Sequence, residues 1–192
     1  LSAAYRAGSV LLKVAADGSS TEILARGFRA PNGVCLNPDG TFYLTDQEGH
    51  WTPKNRLNRV ESGGFYGNMM AYHDGRQPQD FLPPVCWLHN NYDRSPAAQI
   101  WIESDRWGPL EGGLLSTSYG TGEIHLALVE RVGETYQGGL VQMPIADFPT
   151  GVMRGRFNQA DGQFYCCGLF GWSSDKTEPG GFYRVRYTGR PV

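Results

Sequence analysis

One stretch of this sequence gathers most of the side chains able to do chemistry. It runs from Gly27 to Asn68. A basic residue, Arg29, stands just before the short apolar run Val34-Cys35-Leu36. An acid, Asp46, follows a second run, Phe42-Tyr43-Leu44, and opens a polar loop, Asp46-Gln47-Glu48-Gly49 and onward, rich in possible ligands. Between the runs lies Asn37-Pro38-Asp39-Gly40, a strong turn former. A strand–turn–strand unit followed by a long charged loop predicts a propeller blade with a site at one end. The histidines, His50, His73, His89 and His125, show no helical metal spacing, and only His50 sits in the ligand-rich loop. Cys35, Cys86, Cys166 and Cys167 lack zinc-site spacing. Cys166 and Cys167 are neighbours, so a strand would send them to opposite faces, and buried free thiols are the simpler expectation than a disulfide.

The elements that must position these groups are strands. Residues 9–14 and 21–24 read as a hairpin turning at Asp17-Gly18. After the opening stretch, strands are expected near 58–60, 85–89, 99–103, 114–118, 123–129, 139–143, 153–158, 164–167 and 182–187. Residues 63–67 carry too many glycines for a regular element, and 71–84 read as a crossover. A weak repeat links Leu36-Asn37-Pro38-Asp39-Gly40-Thr41-Phe42-Tyr43 to residues 157–165, with one residue inserted. Gly40 and Gly162 stand 122 positions apart, about three blade steps of roughly 40–50 residues.

Composition sets the frame. The chain has 192 residues, 26 Gly, 12 Pro and 12% aromatics, which favours an all-β chain with tight turns. A net charge of -2 and a pI near 6.1 give no reason to expect nucleic acid or an anionic membrane as partner. At blade size, the length supplies about four blades, fewer than a six-bladed ring needs. The start at Leu1 and the end at Tyr-Thr-Gly-Arg-Pro-Val are read as cuts, making residues 1–192 one partial propeller domain.

The Gly27–Asn68 stretch resembles the glucose/sorbosone dehydrogenase family, soluble quinoprotein sugar dehydrogenases with a six-bladed propeller. Arg29, Pro31 and Gly33 match its Arg, Pro and Gly before an inner strand. Asp46-Gln47-Glu48-Gly49 is similar, with one extra residue, to its calcium loop, which binds mainly through backbone carbonyls. Leu57-Asn58, the Gly63–Asn68 run and Arg154-Gly155-Arg156 ahead of Asp161-Gly162 continue the match. Over nearly the whole length the chain also looks like bacterial membrane-bound dehydrogenase domain proteins, through Trp107-Gly108-Pro109-Leu110, residues 115–121, residues 151–158 and residues 181–189. Ala30 stands where the family has an Asn, Tyr119-Gly120 where it has a Lys, and its catalytic His lies in an earlier blade outside this chain.

The resemblance implies pyrroloquinoline quinone (PQQ), a planar o-quinone with three carboxylates, held by Arg29, Arg154 and Arg156 through bidentate pairing. It implies calcium at Asp46, Gln47, Glu48 and Gly49, with Asn68 as a further oxygen donor. The substrate would be a sugar or other small alcohol, oxidised by hydride transfer. Electrons would pass to a cytochrome c domain elsewhere, for no Cys-x-x-Cys-His occurs here. The setting would be the periplasm or cell surface, with membrane association through the parent protein, and the remaining propeller blades as structural partners. Two other readings stand beside this one. Ala30-Pro31-Asn32-Gly33 also resembles calcium-dependent gluconolactonase-type lactonases, with Asn32 as metal ligand. A non-catalytic binding propeller within a multidomain redox protein is the third. The five tryptophans, Trp51, Trp87, Trp101, Trp107 and Trp172, are expected as core between blades rather than as a sugar platform; Trp51 and Trp172, each following one of the matching turns, are the pair that could line one mouth instead.

Overall fold

The computed structural model describes residues 9–49, 52–71, 80–173 and 175–189. Within them, strands fall into four antiparallel sheets. β1 (Val10–Val14) and β2 (Thr21–Arg26) form a ribbon. β3 (Gly33–Leu36), β4 (Phe42–Asp46), β5 (Asn55–Val60) and β6 (Cys86–Leu88) form a complete blade. β7 (Pro96–Trp101), β8 (Leu114–Ser118), β9 (Ile124–Val132) and β10 (Thr135–Gln142) form a second. β11 (Arg154–Phe157), β12 (Phe164–Gly168) and β13 (Gly181–Val185) make a three-stranded sheet. This is the expected all-β propeller, two full blades flanked by two partial ones. Among the described residues no helix is long and apolar enough to cross a membrane.

Strand alternation builds the core between blades. On β4, Tyr43 and Leu44 point to opposite faces. Leu44 joins Ala25, Phe28, Val60 and Tyr66 on the side of the ribbon. Tyr43 joins Leu57, Val85, Leu114 and Ala127 against the next blade. A third layer, centred on Trp107, Leu115, Phe164 and Cys166, joins β7–β10 to β11–β13. The repeat seen in the sequence holds at atomic level. Asp39 Oδ1 accepts from Thr41 N at 3.0 Å, and Asp161 Oδ1 from Gln163 N at 2.9 Å, so both aspartates are turn formers. The four thiols are unpaired; Cys166 is buried and Cys167 exposed, on opposite faces of β12 as expected. Burial pushes the Cys166 thiol up to about 12.

The departures from expectation are largest at three places. β5 starts at Asn55 rather than 58, because its polar residues are buried by neighbouring loops rather than left in solvent. β7 starts at Pro96, ahead of 99, because its first residues, Pro-Ala-Ala, are small enough to pack tightly against β3. β9 and β10 are one long hairpin, whose polar, glycine-containing outer half reads as loop in sequence. The first strands of three successive sheets, β3, β7 and β11, lie side by side, with β7 in the middle. In a propeller these are the strands nearest the axis. Gly33 permits that approach: a Cβ there would collide with the Ala97 carbonyl. Gly33→Ala is therefore expected to force the blades apart and cost about 1–3 kcal/mol, read as a lower urea midpoint. An unchanged midpoint would mean that β3 and β7 do not touch here.

Candidate functional site

The segment before β3 and the loop after β4 meet at one end of the sheet, and Asp46 fastens them. Asp46 ends β4 wholly buried. Its carboxylate accepts from the backbone N–H groups of Arg29 (2.9 Å), Ala30 (2.7 Å) and Gln47 (3.0 Å). It also pairs with Arg56 Nη2 at 2.9 Å, both side chains being at most 1% exposed. Asp46 and Arg56 are direct cross-strand partners on β4 and β5, so the strand register itself sets this pair. The result is a braced turn that presents Arg29 outward.

Two side-chain amides then tie this wall to the one before β7. Gln47 Oε1 accepts from Arg29 Nη1 at 2.9 Å, and Gln47 Nε2 donates to Ser95 Oγ at 2.7 Å. Asn55 Oδ1 accepts from Glu48 N at 2.9 Å, and Asn55 Nδ2 donates to the Asp93 carbonyl at 2.6 Å. Between the walls lies a cavity of about 520 Å³. Its charged groups are Arg29, Glu48 and Arg94; Asn90, Asn91 and Trp172 complete the rim. Trp172 is 57% exposed and is held edge-on by Tyr119, with centroids 5.9 Å apart. Its backbone N–H donates to Gly120 O at 3.1 Å. Gly120 is required there, since a Cβ would strike the Arg94 carbonyl. Trp172 thus stands at the mouth and not between blades, where the tryptophans were expected, while Trp51, His50 and His73 lie outside the described residues.

The three arginines named by the sequence are divided. Arg29 lines the cavity. Arg154 and Arg156 lie on β11. Arg154 Nη2 donates to the carbonyl and the Oδ1 of Asn32, at 3.0 and 2.8 Å, and so steadies the turn that carries Arg29. Arg156 bonds back to Gly155 O at 2.8 Å. Asn32 Oδ1, the expected lactonase ligand, is occupied by that guanidinium. The side chains of 46–49 do not compose a calcium centre. The Asp46 oxygens face N–H donors, Gln47 Oε1 faces Arg29, and no three His, Cys, Asp or Glu side chains converge among the described residues. A cation here would have to rely on backbone carbonyls, the mode the resemblance implies. Asn68 is also engaged internally: Nδ2 donates to Phe28 O at 2.8 Å and Oδ1 accepts from Met70 N at 3.1 Å.

Sequence reasoning missed Arg56, Arg94 and Lys176. Arg94 stands two residues before β7, much as Arg29 precedes β3, so asking what opens each inner strand would have found it. Lys176 is 4% exposed and packs its stem on Gly122, beside the Tyr119-Gly120 turn, with Nζ 2.9 Å from Asp175. Behind the cavity, Asp93 and His125 are fully buried between the two complete blades. Burial pushes Asp93 up to about 7; the Ser118 hydroxyl opposes this, and Glu123 adds to it. Neither Asp93 oxygen has a geometrically sound hydrogen bond, since Ser118 Oγ is directed to the Arg94 carbonyl and accepts from Thr121 N. Burial holds His125 down to about 4, so its 3.5 Å contact with Glu123 is not an ion pair at neutral pH.

No family model matches this sequence, and no curated protein does. Among solved structures the chain is similar to a glucose dehydrogenase (15% identity, TM-score 0.63, 91% of this chain and 49% of that one). It is similar to the PQQ-bound aldose sugar dehydrogenase of Streptomyces coelicolor (13%, TM-score 0.60, 89% and 48%). It is also similar to the soluble aldose sugar dehydrogenase of Escherichia coli in its apo form (16%, TM-score 0.56, 77% and 44%). The chain spans about half the length of these structures. Its fold is that of the soluble quinoprotein sugar dehydrogenase propellers.

Proposed function

We propose that this chain is part of a quinoprotein sugar or alcohol dehydrogenase-like propeller, acting with PQQ and calcium in the periplasm or at the cell surface. The observation that carries the reading is Arg29, held into the cavity by a brace of Asp46, Arg56 and three backbone amides. Bound PQQ would accept a hydride from the carbon bearing a sugar hydroxyl. Arg29 would hold a cofactor carboxylate and Arg154 would fix its turn, while Arg156 would add positive charge from β11. Calcium would draw on backbone carbonyls of residues 46–49. The proton-accepting base and the remaining blades would come from the rest of the protein, and a cytochrome c domain would take the electrons.

A non-catalytic binding propeller is favoured over the lactonase reading by one contact, the Arg154 guanidinium on Asn32. Reconstitution separates the readings. With PQQ and calcium, the protein is expected to retain quinone absorbance through desalting, and Arg29→Gln should weaken retention on the order of tenfold, as loss of one charge-assisted contact. No retention with or without calcium would sink the quinone reading and leave the binding propeller.

A further inference from the structure

Arg94 is a cation that the cofactor reading does not use. It stands on the wall opposite Arg29, in the segment before β7, beside Asn90 and Asn91. Each of the other arginines around the site has a partner. Arg29 donates to Gln47, Arg154 to Asn32, Arg156 to Gly155 O and Arg56 to Asp46. The Arg94 guanidinium makes no hydrogen bond or ion pair with any described residue. Its backbone, in contrast, is fixed. Ser118 Oγ donates to its carbonyl at 3.3 Å, and Gly120 packs directly on that carbonyl. A fixed stem with an uncommitted guanidinium facing a cavity is a prepared anion contact.

The other groups on this side set the rest of the ligand. Trp172 offers a half-exposed indole face, propped by Tyr119. Asn90 and Asn91 offer amide donors and acceptors suited to hydroxyl groups. An aromatic platform, hydroxyl-binding amides and a guanidinium with no partner among the described residues together match a pyranose ring that carries a carboxylate. Glu48 is the only carboxylate among the described lining residues, so the cavity keeps a net positive charge. We infer that the wall formed by Arg94, Trp172, Asn90 and Asn91 is a subsite for an acidic sugar, a saccharide of the uronic acid class. This rests on the quinone reading only for the role of that sugar as substrate; the binding itself does not.

The test compares D-glucuronate with D-glucuronamide, which has nearly the same size and hydroxyls but no charge. Binding is measured by calorimetry and by saturation-transfer NMR on the whole protein. Glucuronate is expected to bind on the order of tenfold or more tightly than the amide, the worth of a charge-assisted contact. Arg94→Gln should abolish that preference, and Arg94→Lys should keep part of it. Trp172→Ala should weaken both ligands alike. Arg131→Gln, near the end of β9 and not among the cavity's lining residues, should change nothing. Equal binding of acid and amide, unchanged preference in Arg94→Gln, or no binding of either ligand would each overturn the inference. Quinone retention without uronate preference would leave the quinone reading standing alone. Uronate preference without quinone retention would do the reverse.

Discussion

Asp46→Ala is expected to lower stability by about 3–5 kcal/mol, the usual result of leaving one half of a buried ion pair behind. Without the carboxylate, Arg56 keeps, among the described residues, only a 3.5 Å contact to Gly27 O and a distant approach, 5.9 Å, to the Trp87 ring. The amides of Arg29, Ala30 and Gln47 lose their acceptor at the same time. The reverse change is milder. In Arg56→Met the carboxylate keeps all three backbone donors, and the methionine fills apolar space. The two costs should therefore differ clearly, Asp46→Ala being the larger, in urea unfolding with an unchanged slope. Equal costs would mean that the backbone amides contribute little and the ion pair alone matters. Since the same amides shape the turn bearing Arg29, Asp46→Ala should also abolish ligand retention in the cavity at temperatures where the protein is still folded.

How much of this was legible follows from where each signal resides. The two Asp-Gly turns are local, four or five residues each, and the sequence shows both. The apolar alternation of β3, β4, β8 and β12 is also local, so the blade architecture could be read directly. Arg29 and Asp46 were visible as a base before one strand and an acid after the next. What Asp46 does was not visible. Its partners include Arg56, which becomes a neighbour only once the β4–β5 register is fixed. Read alone, an acid followed by Gln and Glu resembles a ligand loop; in the fold it is the fastening of that loop. Arg94 was missed because Pro96-Ala97-Ala98 looks like a poor strand. Small residues are chosen there by the close approach of β3, not by strand propensity. Arg154 was visible as a base on a strand, but its work on Asn32 depends on a contact across 122 residues.

The second large effect concerns pH, and two buried groups in one interblade layer oppose each other. Asp93 binds its proton more tightly in the fold than in the unfolded chain, with a pKa raised from 3.8 to about 7. Its contribution is full below pH 4 and is withdrawn as pH rises to about 7, a change of about 4 kcal/mol. His125 binds its proton more weakly in the fold, its pKa falling from 6.5 to about 4. Its contribution is full above about pH 6.5 and is lost as pH falls to about 4, a change of about 3 kcal/mol. The windows overlap and the slopes have opposite signs, so these two groups nearly cancel in the native protein. Single replacements should expose the hidden slopes. Asp93→Asn should make stability rise between pH 4 and 6.5. His125→Asn should make it fall between pH 4 and 7. Urea midpoints across that range decide the matter, and parallel profiles for both variants and the native protein would refute it. The cancellation has a structural origin. Tyr92 precedes Asp93, and its ring lies 5.0 Å from the His125 imidazole, so the segment that carries Arg94 into the cavity also seals both groups from water. Opening that segment would hydrate the carboxyl and the imidazole together. The pH profile of stability therefore also reports whether the cavity wall is closed.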